Sequence, residues 1–222
     1  MNIVEAIRLR KSIRGFKPDQ VPKEILLEVL EIATRAPSAM NTQPWEFAVL
    51  TGDVPDKIRD ANVAMLASVF AGDRAPSRAP LEGVYRQRQV DLAVQIFRLM
   101  GIAREDRKKR AEWGVRGLRF FEAPAAIILY VENSLARAYV DFDLGAFAQT
   151  ICLAALSYGL GTCVEDQGVL FPEVIRRLAG IPESKRIVVS IAVGYPDWDF
   201  PANSLESSRE PVENIAKWCG FD

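Results

Sequence analysis

"AAIILYV", Ala125 to Val131, is a short, unbroken apolar run. A strand with one wet face alternates apolar and polar side chains, so a run without alternation predicts a strand covered on both faces. That demands one layer of structure above the sheet and another below it. The chain on either side provides both. Downstream, Arg137 to Tyr158 reads as a long buried helix stopped by Gly159, and Pro172 to Ala179 as a shorter one. "GTCVED" from Gly161 and "RIVVSIAVGYP" from Arg186 supply two more strands. Upstream, "WEFAVLTG", Trp45 to Gly52, is apolar and ends in a turn, after which a helix opens at Asp53 or Pro55 and runs towards Phe70. Two helices come earlier. One covers about Asn2 to Arg10, and the other Pro22 to Arg35, where Ile25, Val29 and Ile32 recur at helical spacing behind a proline start. "AGDRAPSRAPLEG", Ala71 to Gly83, is loop-like, and charged amphipathic helices follow from Val84 to Met100 and from Glu105 to Phe121, so that 71–121 reads as an insertion. Strands alternate with helices and no segment repeats, which predicts a central sheet sandwiched by helices in one domain over residues 1–222.

Composition narrows the chemistry. The 222 residues are 49% hydrophobic, enough for one substantial core. Lys and Arg total 28 against 29 Asp and Glu, a net charge of −1, so no long-range positive field marks a binder of nucleic acid or anionic membrane. No histidine occurs. That excludes zinc sites built on histidine, Ser-His-Asp hydrolysis and histidine acid–base catalysis. Cys152, Cys163 and Cys219 are odd in number and lack metal-ligand spacing, which suits free thiols and no bound metal. The opening MNIVEAIRLRKS is amphipathic and charged, without the apolar core of a secretory signal, and points to the cytoplasm. Leu144 to Val164 carries no charge and has about the length of a membrane span. Acidic residues flank it on both sides and polar residues punctuate it, so it reads as a buried helix and the chain as having no membrane partner.

Against this neutral background "RLRKSIRGF", Arg8 to Phe16, stands out. If the chain leaves the first helix in extended form, a period of two sends Arg10, Ser12 and Arg14 to one side, where two guanidinium forks and a hydroxyl suit the oxygens of a terminal phosphate. A solvated basic face at a helix end is the other reading, and the spacing alone does not choose between them. "RAPSAMNTQPWEF", Arg35 to Phe47, runs from a helix stop at Pro37 through small and amide residues into a strand. Ser38 and Asn41 could meet the polar edge of a heterocycle, and Pro44-Trp45 gives a stiff, anchored strand entry. Equally, the stretch is a plain helix-to-strand connection.

Taken together, Arg10-Lys11-Ser12-Ile13-Arg14, Ala36 to Trp45 and Gly159-Leu160-Gly161-Thr162-Cys163, in that order and at those separations, resemble the FMN-dependent nitroreductase family over nearly the whole chain. Lys11 stands where many members have a second arginine, and Glu165-Asp166 where many have small or apolar residues.

The resemblance implies an α+β fold, a three-layer α/β/α sandwich around a mixed central sheet, forming an intertwined homodimer with two FMN sites built from both chains. Arg10, Lys11, Ser12 and Arg14 would hold the phosphate, joined by Arg209. Pro37, Ser38, Ala39 and Asn41 would come from the partner. Val164, Glu165 and Asp166 would run beside the isoalloxazine, with the backbone N–H near Asp166 aimed at N5. No side chain is then needed as a catalytic group, because FMN takes a hydride from NADH or NADPH and passes it on. The carboxylates of Glu165 and Asp166 would either disfavour the anionic reduced flavin or point to solvent. Residues 204–222 would wrap onto the partner, although Trp218 and Phe221 could pack on their own domain instead. Met40, Tyr85, Trp113 and Phe121 are candidate walls of a flat aromatic slot, or plain core. The implied activity is ping-pong reduction of a small acceptor, a nitroaromatic or quinone. A same-fold reductive dehalogenase, an activated-alkene reductase, a flavin-consuming enzyme and a non-catalytic flavin binder are the alternatives.

Overall fold

The computed structural model describes residues 1–71 and 80–221. Its sheet has four strands, β1 (Glu46–Leu50), β2 (Ala125–Glu132), β3 (Gly161–Glu165) and β4 (Lys185–Gly194), in the order β1-β2-β4-β3. β2 therefore lies inside the sheet, with Phe47 opposite Leu129 on one side and Ile127 opposite Ile191 on the other. All named strands pair antiparallel. The parallel component of the expected mixed sheet is confined to one bridge, Ser12 to Thr162.

The helices are α1 (Ile3–Leu9), α2 (Lys23–Ala33), α3 (Val54–Ala71), α4 (Gly83–Leu99), α5 (Arg107–Gly114), α6 (Arg137–Leu156), α7 (Pro172–Ala179) and α8 (Val212–Ile215). They cover both faces of the sheet. Ile127, Leu129 and Val131 pack with Leu26 and Val29 of α2 and with Leu144, Phe147 and Ile151 of α6. Ala126 and Ile128, pointing the other way, pack with Ile58 of α3, Phe120, and Val174 and Ile175 of α7. The three layers follow from this alternation on a strand whose every residue from Ala125 to Leu129 is 0% exposed.

Local signals place the ends. Trp45 stacks on Phe147 with ring centroids 4.7 Å apart and planes 2° off parallel, which fixes the entry to β1 against α6. α6 stops where Gly159 takes φ +70 and the Leu160 N–H donates to the Ala155 carbonyl at 3.0 Å. The predicted helix from Glu105 to Phe121 differs: α5 spans only Arg107–Gly114. Phe120, Phe121 and Glu122 then turn left-handed, with φ of 49, 53 and 62. The turn delivers Phe120, 0% exposed, into the core. Buried Arg59 holds it, donating Nε to the Arg119 carbonyl at 2.9 Å and Nη2 to the Ala123 carbonyl. Residues 72–79 of the predicted loop lie outside the described residues. No helix among the described residues is long and apolar enough to cross a membrane.

Because the two faces of β2 are equally covered, Ile127→Ala and Ile128→Ala should each cost about 2 to 5 kcal/mol in urea unfolding, the range for truncating a buried aliphatic side chain. A large cost at only one of the two positions would contradict a sheet buried on both sides.

Candidate functional site

β3 ends the sheet, and its outer edge is covered by the chain leaving α1. Arg10 closes that helix with extended backbone, φ −57 and ψ 121. Ser12 bridges to Thr162, and the Ile13 N–H donates to the Thr162 carbonyl at 2.9 Å. Ile13 is 2% exposed, which fixes the rotation of the segment. A cavity of about 1120 Å³ opens beside it, lined by residues of α1, by Gln149 and Leu156 of α6, by Gly159 to Gly161, and by Pro196, Trp198 and 205–207. Its charged lining is Arg8, Arg10, Lys11 and Arg209 against a single carboxylate, Glu206.

This cavity joins Arg10 and Lys11 to Arg209, from the far end of the chain. It does not include Ser12 or Arg14 in its lining, so strict alternation along the extended segment is not what sorts these side chains. Ser12 lies beside Cys163. Arg14 is half-buried and donates Nη1 to the Ser12 carbonyl at 3.4 Å. The main chain of Arg14 is tied twice, its N–H donating to Asn203 Oδ1 at 2.7 Å and its carbonyl accepting from Arg116 Nη2 at 3.0 Å. Arg209 is exposed, with Nη1 on Ser207 Oγ at 2.7 Å.

Pro37, Ser38, Ala39 and Asn41 do not line the cavity. They form a separate, strained loop in which Met40, Asn41 and Gln43 have φ of 51, 58 and 47. The Gln43 N–H donates to Ser38 Oγ at 3.0 Å, and the Ala39 N–H donates to the buried Asp143 carboxylate at 3.2 Å. Met40 is left 94% exposed. Of the other slot candidates, Tyr85 is exposed on α4, Trp113 is half-buried with the Arg116 guanidinium 5.8 Å from its ring centre, and Phe121 is a core residue.

Val164 is exposed at the end of β3, but the neighbouring Glu165 turns inward. Its Oε2 accepts from the Gly168 N–H at 2.7 Å, and Oε1 meets Ser190 Oγ. It does not point to solvent, one of the two orientations raised from sequence. Burial pushes its pKa from 4.5 up to about 7, against the opposing hydrogen bonds. The geometry agrees, since Ser190 Oγ also lies 2.9 Å from the Glu165 carbonyl. One hydroxyl proton cannot serve both oxygens, whereas a neutral carboxyl donates to Ser190 Oγ and frees the serine proton for the carbonyl. Cys163 and Cys152 are buried, which raises both thiols, Cys163 to about 11, so neither is a nucleophile. Among the described residues no cluster of His, Cys, Asp and Glu could hold a metal.

Asp143, Ser190, Arg116 and Asn203 escape a reading of the sequence. Each acts on main-chain groups distant in the chain, and no spacing announces that.

Comparison with known proteins gives a consistent picture. A model of the Nitroreductase family matches residues 7–195. The chain is 31% identical over 213 residues to nitroreductase NfnB of Mycolicibacterium smegmatis, covering 96% of this chain and 90% of that protein. It is 34% identical over 212 residues to a 4-nitrobenzoate reductase of Nocardioides, covering 93% and 85%. The solved structure of the FMN-dependent nitroreductase NfnB from Mycobacterium smegmatis, in complex with NADPH, superposes with a TM-score of 0.87 at 28% identity, covering 98% of this chain and 100% of the other.

Glu165 gives a pH test. Below about pH 4.5 the folded and unfolded chains both carry its proton, and the packed neutral carboxyl contributes fully. As pH rises towards about 7 the unfolded chain releases that proton first, so stability is lost, and the loss is complete above the folded value. Thermal melts of the wild type between pH 5 and 8 should therefore show a fall, on the order of 3 kcal/mol at most, that Glu165→Gln lacks. Parallel pH profiles for the two proteins would refute a buried, proton-retaining carboxyl.

Proposed function

We propose that this chain, which belongs to the nitroreductase family, is an FMN-dependent NAD(P)H oxidoreductase that reduces a small nitroaromatic or quinone-like acceptor. The observation that carries the reading is the meeting of Arg10, Lys11 and Arg209 on one cavity beside the outer edge of β3. The residues fit a phosphate-bearing cofactor: four cations face the space against one carboxylate, and the 1120 Å³ volume admits a flavin mononucleotide.

Bound FMN supplies two-electron chemistry, accepting a hydride at N5 from a reduced nicotinamide and returning it to a second substrate in the same site. The chain's task is to hold and tune. Arg10, Lys11 and Arg209 neutralise the phosphate, with Ser12 and Arg14 on the adjoining strand edge. Val164 to Asp166 would run beside the ring, with a backbone N–H near Asp166 available to N5. The inward turn of Glu165 favours its neutral form and so lowers the negative charge on that flank below about pH 7.

The second half of the site we assign to a second copy of the chain. Pro37, Ser38, Ala39 and Asn41 stand apart from the cavity within one chain. Large apolar side chains also lack cover: Ile3 is 64% exposed, Leu9 63%, Phe142 78%, Trp218 67% and Phe221 77%. Trp218 and Phe221 contact each other edge to face at 5.6 Å. A homodimer with exchanged C-terminal tails would cover them, and α4 and α5, with Tyr85 and Trp113, would roof the acceptor site. The three free cysteines favour a reducing, cytoplasmic setting.

Purified protein should be yellow, sediment as a dimer of the 24.7 kDa chain, and lose its visible flavin band on mixing with NADH or NADPH, regaining it with 4-nitrobenzoate. Arg10→Ala should weaken FMN binding by about 1.5 to 3 kcal/mol, the range for a charged hydrogen bond, with little change in melting temperature. Protein that binds no flavin, or an Arg10→Ala variant with undiminished FMN affinity, would reject the assignment. Bound FMN that NAD(P)H reduces too slowly to sustain turnover would favour a non-catalytic flavin binder.

A further inference from the structure

The segment that carries Arg10 to Arg14 and the segment that carries Arg209 come from opposite ends of the chain, and one buried amide joins them. Asn203 is 1% exposed and sits in the single-turn helix Pro201–Ser204, just before the stretch that leads to Arg209. Its Oδ1 accepts from the Arg14 N–H at 2.7 Å. Its Nδ2 donates to the Gly15 carbonyl and to the Asp197 carbonyl, each at 2.7 Å. All three bonds go to main chain, so the side chain reads position rather than residue identity.

The surroundings leave the segment little freedom. A Cβ on Gly15 would lie 2.2 Å from the Phe200 ring, so the arginine segment presses directly on the turn that holds Asn203. The Arg116 guanidinium rests 4.8 Å from the Phe200 ring centre and donates to the Arg14 carbonyl at 3.0 Å. Both polar groups of the Arg14 main chain are thus engaged. The Asn203 amide ties that segment to the turn leading into the C-terminal arm, beside the Asp197 N–H, which donates to the Gly15 carbonyl at 3.1 Å.

We propose that Asn203 is a positioning residue for the cofactor phosphate, holding the Arg10–Arg14 segment and the Arg209 arm in register so that their cations converge. The inference rests on the reading above that these cations bind that phosphate. Asn suits the position because it offers an acceptor to the N–H and two donor hydrogens to the carbonyls at once. Alanine offers none.

The test compares FMN with riboflavin, which lacks the phosphate. Full-length protein is stripped of flavin and titrated with each by fluorescence quenching, with circular dichroism and melting curves recorded alongside. Asn203→Ala should weaken FMN binding by about tenfold or more while riboflavin affinity stays within about twofold, as misplacement of the phosphate-binding cations requires. Should that variant fail to fold, Asn203→Asp, which keeps the acceptor for the Arg14 N–H, carries the same expectation. Unchanged FMN affinity, or equal weakening of both flavins, overturns the positioning role. Arg10→Ala separates the two levels of the argument. If it abolishes the preference for FMN while the Asn203 variants keep it, only the role of Asn203 falls. If it leaves the preference intact, the phosphate reading falls and the inference goes with it.

Discussion

The backbone hydrogen bonds that lay residues 12–17 along the rim of the sheet are the constraint on which the rest depends. The Ile13 N–H reaches the Thr162 carbonyl at 2.9 Å, and the Lys17 N–H reaches the Tyr195 carbonyl, also at 2.9 Å. Without them β3 would present an open edge, a row of unpaired donors and acceptors that invites association with other chains. Covering that edge with the N-terminal segment solves a folding problem and creates the site in the same step. It sets a run of basic residues beside a strand roughly 150 positions later in the chain, and burial of Ile13, contributing about 1.5 to 3 kcal/mol, holds the segment at one rotation.

The parts of the fold legible in the sequence are those governed by local pattern. "AAIILYV" had to be an interior strand because six of its seven side chains are wholly apolar, and β2 is that strand. The arrest of α6 at Gly159 and the anchoring of Trp45 likewise rest on the conformational freedom of one residue and the bulk of another. The antiparallel order of the sheet was not legible, since alternating helices and strands permit several connections and only long-range pairing selects one. The left-handed turn at Phe120 to Glu122 was hidden for a related reason. Those residues have no intrinsic preference for positive φ, and the conformation is imposed by the Phe120 pocket and by the grip of Arg59 on the flanking carbonyls.

The candidate site divides along the same line. A cluster of cations declares itself in the sequence, and the cavity does gather Arg10, Lys11 and Arg209. The polar residues that arrange it do not declare themselves. Asp143 receives the Ala39 N–H across more than a hundred residues of chain, and Ser190 meets Glu165 across the β3–β4 pair. A carboxylate next to a flavin-like site reads from sequence as a charge facing the ring or the solvent. Only the third dimension reveals a partner waiting beneath it.

That inward turn of Glu165 bears on how a chain with a net charge of −1 sustains a positive site at all. Cys163 lies within electrostatic reach of both Arg14 and Glu165, so the two side chains bracket one short stretch of β3. An ionised Glu165 in that low-dielectric setting would face the like charge of the adjacent Asp166. Burial removes the difficulty by favouring the neutral acid, and the Ser190 hydroxyl gives its proton a place to go. Desolvation of a carboxyl group, usually a penalty on stability, here keeps a negative charge off the end of β3 below about pH 7. The charge at the end of β3 therefore depends on how Glu165 is stored, while the cations of the cavity meet one carboxylate, Glu206.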